Sequence, residues 1–572
     1  MWYDDAYRLP LPSFEAMVGA ELRRADFVAW YLADSGLVAP DELKRPERVS
    51  YRDLARVHTL PFLGSTNAPE TLARVFACTP EEIKVAAVLK SVRLACGGTL
   101  AAAREARVRR TAVLNLGGGF HHAEPDRAGG YCLLNDVAVA AKVLRAEGFV
   151  GKICVIDLDA HPPDGTAACL QDDPDVWIGS ISGADWGPLP PEVDETCIPG
   201  ADNRTYLKAL EELLRRMPRP AFAFVLAGGD VLDRDHHGGL KLTIPGVRAR
   251  DELVAAAVEG VGSVWVPAGG YHADAWRVLA NTALVLARSP VPDVPPTYDP
   301  LDRRFSFIAR TLRRESLTDR DEIDLDDIAA DLRLAPRKRD RLFDFYTEEG
   351  LELVFEQYGI LEHLRRLGYE DFRVEVSNDP SGERVRLFGH ARGMEHLLIE
   401  VVVERRKIGA SGASAVSRRD EVVYVHWLTL RNPLAHFDEK HPGLPGQEVR
   451  GLGLAREISG LLGRMAARLE LAGVAFTPSH YHMAYAARAH CRFIDPERQG
   501  RFEAMLRDLG NRPLAEVTRA VAEGRVRLDG RPYTWEAVDM VYWLEPRSAD
   551  EETVRAEAER SHFSIEPAGA SA

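Results

Sequence analysis

The stretch that most constrains this chain is Ile156–Thr166, which reads Ile-Asp-Leu-Asp-Ala-His-Pro-Pro-Asp-Gly-Thr. An apolar run, Lys152–Ile156, drives straight into Asp157, Asp159, His161 and Asp164. Bounded by Gly151 and a Pro-Pro turn, that run is expected to be a buried strand of a parallel sheet. Sheets of this kind place their chemistry just beyond the carboxyl ends of their strands. With a period of two, Asp157, Asp159 and His161 share one face of the extended segment. Carboxylate and imidazole alternating at a strand mouth suit a divalent metal such as zinc. A salt-bridged, hydrogen-bonded turn is the alternative that this stretch alone leaves open.

The strand belongs to a longer rhythm. Glu81–Ala106 is helix-patterned, Thr111–Leu116 a strand, Leu133–Glu147 a helix and Lys152–Asp159 the next strand. Trp177–Ser182, Ala221–Ala227 and Ser263–Pro267 read as further strands, and Arg204–Arg216, Val247–Glu259 and Ala273–Ala287 as helices. This alternation, with polar residues clustered where strands end, predicts an α/β fold doubly wound on a mostly parallel sheet. At 572 residues the chain is too long for one ordinary core. Ser289–Pro300 has five prolines in twelve residues and reads as a linker. We therefore expect a first domain over residues 1–288 and a Pro-rich, acidic linker over 289–330, with an acidic run at Asp319–Asp327. A smaller α+β domain is expected over 331–546, with a loop at Ser411–Ser417, and a frayed tail over 547–572.

Composition narrows the function classes. A net charge of −15 argues against a general nucleic-acid binder, which presents an excess of Lys and Arg. The seven cysteines are scattered, with no CxxC pair, so neither a disulfide scaffold nor a thiolate zinc site is indicated. Met1–Ala20 carries Asp4 and Asp5 and no apolar core of a secretory signal. No apolar stretch is expected to reach transmembrane length. A cytoplasmic protein with no membrane partner is the expectation; the oligomeric state is not legible.

Four strand ends converge on one chemistry. His121-His122 follows Gly117-Gly118-Gly119, where glycine lets the backbone turn sharply and approach a ligand. That loop lacks the spacing of a dinucleotide fingerprint and a Walker lysine, and two adjacent histidines suit general acid/base work. Asp159, His161 and Asp230 can give three ligands and leave a position open for water, as a catalytic zinc requires. Asp157 and Asp164 are then free to hydrogen-bond the His121 and His122 rings. Tyr271, on a Gly-Gly turn, can donate to a developing oxyanion.

At these residues the sequence resembles the zinc-dependent histone deacetylase family and its bacterial relatives, including the acetoin-utilisation type. The matching pieces are Gly118–Ala123, Gly130–Asp136, Asp157–His161, Asp164-Gly165, Ala227–Asp230 with Asp235 five residues on, and Gly269–Tyr271. The resemblance covers about the first 290 residues. It implies the arginase–deacetylase fold, with zinc on Asp159, His161 and Asp230. It implies His122, paired with Asp164, as general base and later acid, and His121, paired with Asp157, as its electrostatic partner. Tyr271 would polarise the acetyl carbonyl. A monovalent-cation site (K+ or Na+) would fall on Asp157, Asp159, His161 and Ser180. Pro162-Pro163 replaces the family's residues after the liganding histidine, so a shifted rim is expected rather than a lost metal. For substrate binding, Gly130 and Tyr131 match one wall of an acyl-lysine tunnel, and Trp186, in the loop Gly183–Pro191, is the candidate for the other. His237 falls where relatives tune substrate preference; an exposed loop residue beside His236 is its other reading. The implied substrate is an acetylated amine, such as protein acetyl-lysine or an acetylpolyamine. A two-manganese ureohydrolase on the same fold would need carboxylates where Pro163 and Leu232 stand. A silent acyl-lysine reader would be expected to lose Tyr271 or one of the paired histidines.

The C-terminal half is read more coarsely. Asp340–Leu367 is helical, Arg373–Val376, Val385–Gly389, Leu397–Arg405 and Val422–Leu430 are strands, and Gly451–Leu471 is a long amphipathic helix. Four strands followed by a Pro-Gly-Gln…Gly-x-Gly helix entry loosely resemble a GNAT-type acetyltransferase, which binds acetyl-CoA pyrophosphate at such an N-terminus. Glu448 stands where that pattern has Gln or Arg, so a catalytically silent accessory domain is expected. His480 and His482 alternate along an expected strand, with His490 nearby; metal binding is one reading and structural or exposed histidines the other.

Overall fold

The computed structural model describes the chain apart from residues 12–13, 15–17, 188, 190–192, 292, 319–340, 409–420, 438–442, 546, 548–549 and 567–572. The acidic run at Asp319–Asp327 and the loop at Ser411–Ser417 lie outside the described residues. Two compact units divide the chain, Met1–Leu301 and Asp302–Ala572.

Six strands form the sheet of the first unit: β1 (Ala112–Leu114), β2 (Ile153–Asp157), β3 (Val176–Ser182), β4 (Val193–Cys197), β5 (Phe222–Leu226) and β6 (Gly262–Val266). Their order is β1-β6-β5-β2-β3-β4, and every pairing is parallel. Around them lie α1 (Arg24–Asp34), α2 (Val85–Arg109), α3 (Asp136–Ala146), α4 (Asp164–Leu170), α5 (Asn203–Arg216), α6 (Ile244–Ala257) and α7 (Ala275–Leu286). Side chains of the strands alternate between two cores. Val155, Phe224 and Val264 join α2 and α3 in one, while Ile156, Val225 and Trp265 join α1, α5, α6 and α7 in the other. Burial on both faces is why β2 reads as an unbroken apolar run. This is the doubly wound parallel sheet expected of the arginase–deacetylase fold.

The strand order positions the site. From β2 the chain runs outward to β3 and β4, then returns to β5, on the other side of β2, and continues to β6. Neighbours whose connections leave in opposite directions splay at their carboxyl ends and open a crevice there. Asp159 and His161 follow β2, and Asp230 follows β5.

Strand β4 was not legible in the sequence: Val-Asp-Glu-Thr-Cys is a half-exposed edge strand with no clean apolar alternation. One helix among the described residues, Val85–Arg109, departs from the transmembrane expectation. It is 25 residues long, and its most apolar window has a hydropathy of 1.4, 67% of it buried within the unit. It is apolar because it packs as a core helix on β1 and β6 and against α3.

The second unit is α+β, as expected. After a helix α8 (Pro300–Thr311), in the span expected to be linker, come α9 (Glu348–Gln357) and α10 (Ile360–Leu367). Four antiparallel strands follow, β7 (Glu370–Asp379), β8 (Gly382–Ala391), β9 (Met394–Lys407) and β10 (Glu421–Leu430). Helix α11 (Ala455–Arg468) leads to β11 (Gly473–Phe476), parallel to β10. A resemblance to a GNAT-type acetyltransferase is not established by this mixed sheet. Three expectations need correction. Residues 340–367 are not one helix, because Gly359 (φ 79) breaks α9 from α10. His480–Ala487 is not a strand but the helix α12 (Tyr481–Ala487), which buries Tyr481 and Ala484. The tail over 547–572 holds a helix, Glu551–Arg560, and a strand, Phe563–Ile565. Its charges misled the reading because they are spent on partners, as where Glu557 accepts from Arg501 at 2.8 Å.

Close packing around α2 yields a prediction. Replacing an exposed helical glycine by alanine gains up to about 1 kcal/mol, but a Cβ on Gly97 would sit 1.8 Å from the Glu47 carbonyl oxygen. Gly97→Ala is expected to destabilise the first unit by about 1–3 kcal/mol or more, read as a lower urea midpoint; a raised midpoint would contradict this packing.

Candidate functional site

Two carboxylates and an imidazole meet at the crevice. Asp159 and Asp230 are buried, and His161 Nδ1 lies 3.0 Å from Asp159 Oδ1 and 3.1 Å from Asp230 Oδ2. One ligand atom from each of the three falls within 4.8 Å of the others. The backbone fixes both acids: Gly269 N–H donates to Asp159 Oδ2 at 2.6 Å and Ala160 N–H to Asp230 Oδ1 at 3.0 Å. Gly269 has to be glycine, since a Cβ there would come within 2.6 Å of oxygens of both carboxylates. Burial raises the Asp230 carboxyl above its ordinary range, and the facing Asp159 adds to the rise. Burial alone would lower His161, but its two carboxylate neighbours raise it well above the ordinary histidine value. The trio is a cluster of negative charge that holds a positive one.

His121 and His122 stand beside it, ring centroids 3.9 Å apart. Their loop is pinned by Asp136, which accepts from Gly119 N–H at 3.0 Å and Phe120 N–H at 2.8 Å and from Thr99 Oγ1 at 2.6 Å. Gly118 and Gly119 take the positive φ values, 92° and 83°, that this turn demands. His121 Nδ1–H donates to Asp157 at 3.0 Å, and His122 Nδ1–H to Asp164 at 2.7 Å. Similar partners leave the rings with opposite character. Burial opposes charge on His121, yet Asp157 and Asp159 raise it to about 9. Burial and the neighbouring His121 lower His122 to about 4. At neutral pH one ring is a cation and the other a free base.

The remaining sequence candidates gather around this centre. Tyr271 is tied through its N–H to Asp235 Oδ2 at 2.7 Å, and Asp235 Oδ1 accepts from His237 N–H at 3.0 Å. The Tyr271 phenol is held well above its ordinary value by burial and by Asp159 and Asp230, so it stays protonated. Tyr131 (φ 62°) lies 5.9 Å from Tyr271, and His237 lies 6.3 Å from Tyr131 and 4.6 Å from Tyr271, centroid to centroid. Trp186 stacks on His122 at 4.7 Å and 25°, and is 53% exposed. Gly130 packs on the same imidazole, where a Cβ would meet His122 Cδ2 at 2.2 Å. Ser180 is Asp157's register partner on β3; it is buried, and its Oγ has no hydrogen-bond partner. A cavity of about 140 Å³ is lined by His122, Tyr131, Asp159, His161 and Tyr271, and also by Ser91 and Val92. Among the described residues, the second unit's histidines form no such centre. His480 and His482 rings are 5.5 Å apart, and Asp159, His161 and Asp230 are the one metal-capable group found among the described residues.

Sequence reasoning missed three supports. Arg24 donates to the Ala268 and Gly269 carbonyls at 2.6 and 3.2 Å, bracing the turn before Tyr271. Asn135 Nδ2 donates to Ala123 O and Thr166 Oγ1, both at 3.1 Å, and caps α3 through Oδ1. His58 is 2% exposed; its Nδ1–H donates to Glu124 O at 2.9 Å and its Nε2 accepts from Asn135 N–H at 3.0 Å. Nothing near His58 in sequence signals this, because its partners lie 66 and 77 residues away.

Comparison with known proteins agrees with the geometry. Residues 20–286 match the histone deacetylase domain family. Histone deacetylase 2 of Arabidopsis thaliana is 29% identical over 302 residues, which are 50% of this chain and 78% of that protein. The acetoin utilization protein AcuC of Bacillus subtilis (strain 168) is 32% identical over 148 residues, 24% of this chain and 38% of that one. Among solved structures, the HDA15 HD domain aligns with a TM-score of 0.41 at 19% identity, covering 50% of this chain and 89% of its own.

His58 supplies a test of how the histidine loop is held. Burial lowers its pKa from 6.5 to about 4, so the unfolded chain binds the extra proton as pH falls below 6.5. The stabilisation tied to neutral His58 is present above that pH and lost toward 4, about 2 kcal/mol of it between pH 7 and 5. His58→Leu should cost about 1–3 kcal/mol at pH 7, since it strands Asn135 N–H and Glu124 C=O. It should also flatten the wild-type loss of stability between pH 7 and 5 in urea unfolding. Parallel pH profiles for the two proteins would rule the assignment out.

Proposed function

We propose, from the match of residues 20–286 to the histone deacetylase domain family, that this chain hydrolyses the acetyl amide of an acetylated amine with zinc as its metal. What carries the reading is the convergence of Asp159, His161 and Asp230 within 4.8 Å beside two histidines hydrogen-bonded to Asp157 and Asp164. Two carboxylates and one imidazole nitrogen are a fitting donor set for a catalytic zinc, which takes three protein ligands and keeps one position open. A zinc ion held there supplies Lewis acidity to the amide carbonyl and lowers the pKa of water from ~15.7 toward ~7.

The chain's own groups do the rest. His122 is unprotonated at neutral pH and takes the proton of the attacking water, then returns it to the departing amine. Asp164, on Nδ1, holds the ring's orientation and stabilises the imidazolium while it lasts. His121, hydrogen-bonded through Nδ1–H to buried Asp157, is the electrostatic partner of the pair. Tyr271, kept protonated, donates to the oxyanion. Tyr131 and Trp186 flank His122 as the two walls of a slot for an aliphatic amine chain, Gly130 lets that chain pass close, and His237 sits at its rim. Acetyl-lysine in a protein and an acetylpolyamine both suit such a slot. The unpartnered Ser180 Oγ beside Asp157 supports a K+ or Na+ ion on Asp157, Asp159, His161 and Ser180. All seven cysteines are free, which supports a reducing, cytoplasmic address. Pro163 and Leu232 offer no bridging carboxylates, which favours one metal over two. The retained Tyr271, His121 and His122 favour an enzyme over a silent reader.

A panel of acetyl-lysine peptides, acetylpolyamines and small acetamides, assayed with and without a chelator, tests the reading. Turnover of at least one, abolished by chelation and restored by zinc, is expected; full activity after metal stripping would sink it. Tyr271→Phe should retain zinc and lose about 100-fold or more in kcat, the scale of one oxyanion donor. Asp230→Ala should lose zinc on dialysis, read by metal analysis.

A further inference from the structure

Arg250, on α6, is wholly buried, its side chain 0% exposed. Moving a guanidinium out of water costs several kcal/mol unless its bonds offset the loss. Here they do so incompletely: Nε donates to the adjacent Asp251 at 2.9 Å, and Nη2 has no hydrogen-bond partner among the described residues. Apolar packing would be served better by an aliphatic residue, so the cation is there for what Nη1 reaches. That nitrogen donates to Gly228 O at 2.7 Å and contacts Leu158 O at 3.4 Å. Leu158 immediately precedes Asp159, and Gly228 lies two residues before Asp230. A single cation thus ties the main chains leaving β2 and β5, the two strands between which the crevice opens. Its other side is anchored, since Asp251 Oδ2 accepts from Thr282 Oγ1 of α7 at 2.6 Å.

We infer that Arg250 is a positioning residue of the metal cradle, holding the β2 and β5 loops at the separation that lets Asp159 and Asp230 close on one ion. The inference rests on the metal reading above. It requires that the loops be sensitive to distance, and they are: a Cβ on Gly228 would come within 2.7 Å of Asp159 Cα. Groups that orient metal ligands from behind cost about 10–100-fold in metal affinity when removed. Lysine keeps the charge but not the planar set of donors, so it should substitute only in part.

The test measures zinc affinity of the metal-stripped full chain by competition with a chromophoric chelator, alongside the melting temperature of the metal-free protein. Arg250→Met should weaken zinc binding 10-fold or more, and Arg250→Lys by less. Val254→Ala, buried on the same helix, should lower the metal-free melting temperature and leave zinc affinity within about twofold, which separates positioning from loss of fold. Should Arg250→Met not fold, Thr282→Val, which frees Asp251, should still weaken zinc by several-fold. Wild-type affinity in whichever of Arg250→Met and Thr282→Val folds, or an equal loss in Val254→Ala, would overturn the inference while leaving the metal reading intact. A wild-type chain that takes up no zinc would instead overturn the metal reading, and this inference with it.

Discussion

Two carboxylates, Asp159 and Asp230, face each other in the interior of the first unit, fully removed from water. Like charges in that setting cannot both remain ionised without a positive neighbour, and the architecture around them answers that requirement. His161 lies between them. The N–H groups of Ala160 and Gly269 fix one oxygen of each; Arg24 braces the Ala268-Gly269 turn that supplies one of those N–H groups, and Arg250 braces the segments that carry the two acids. The glycines at positions 228 and 269 are consequences of the same constraint, because the backbone passes too near the acids to carry a side chain.

The same field divides the work between the paired histidines. His121 reaches Asp157 and lies near Asp159, so it holds a proton. His122 is lowered by burial and by that charge, which the partly exposed Asp164 and the nearby Asp159 offset only in part. Adjacent residues of one type thus acquire complementary roles without any difference in side-chain chemistry. Burial opposes charge on both rings, and the carboxylates near each decide whether it is overcome.

Much of this was legible beforehand. The apolar run of β2 ending in alternating acids and a histidine, the regular return of strand and helix, and the glycines before His121 and Tyr271 are local patterns. Each states a local physical need, a buried strand or a turn too tight for a side chain. What was misread had its cause in tertiary contacts. Glu551–Arg560 reads as solvated charge, yet Glu557 is buried against Arg501. His480 and His482 share a two-residue spacing that suits a strand, but the burial of Tyr481 and Ala484 makes the segment a helix. Edge strand β4 has no apolar alternation to announce it.

By itself, the sequence determined the doubly wound class of the first unit and singled out the acids and histidines that gather at its strand ends, because strand period and strand-end chemistry are properties of neighbours along the chain. Only the tertiary structure decided that β2 and β5 lie side by side with their connections diverging, which brings Asp230 to Asp159 across 71 positions of sequence. It alone decided which histidine holds a proton, and it alone recruited His58 and Arg250. Burial and through-space charge are set by whichever segments pack together, and no local pattern records which ones those are.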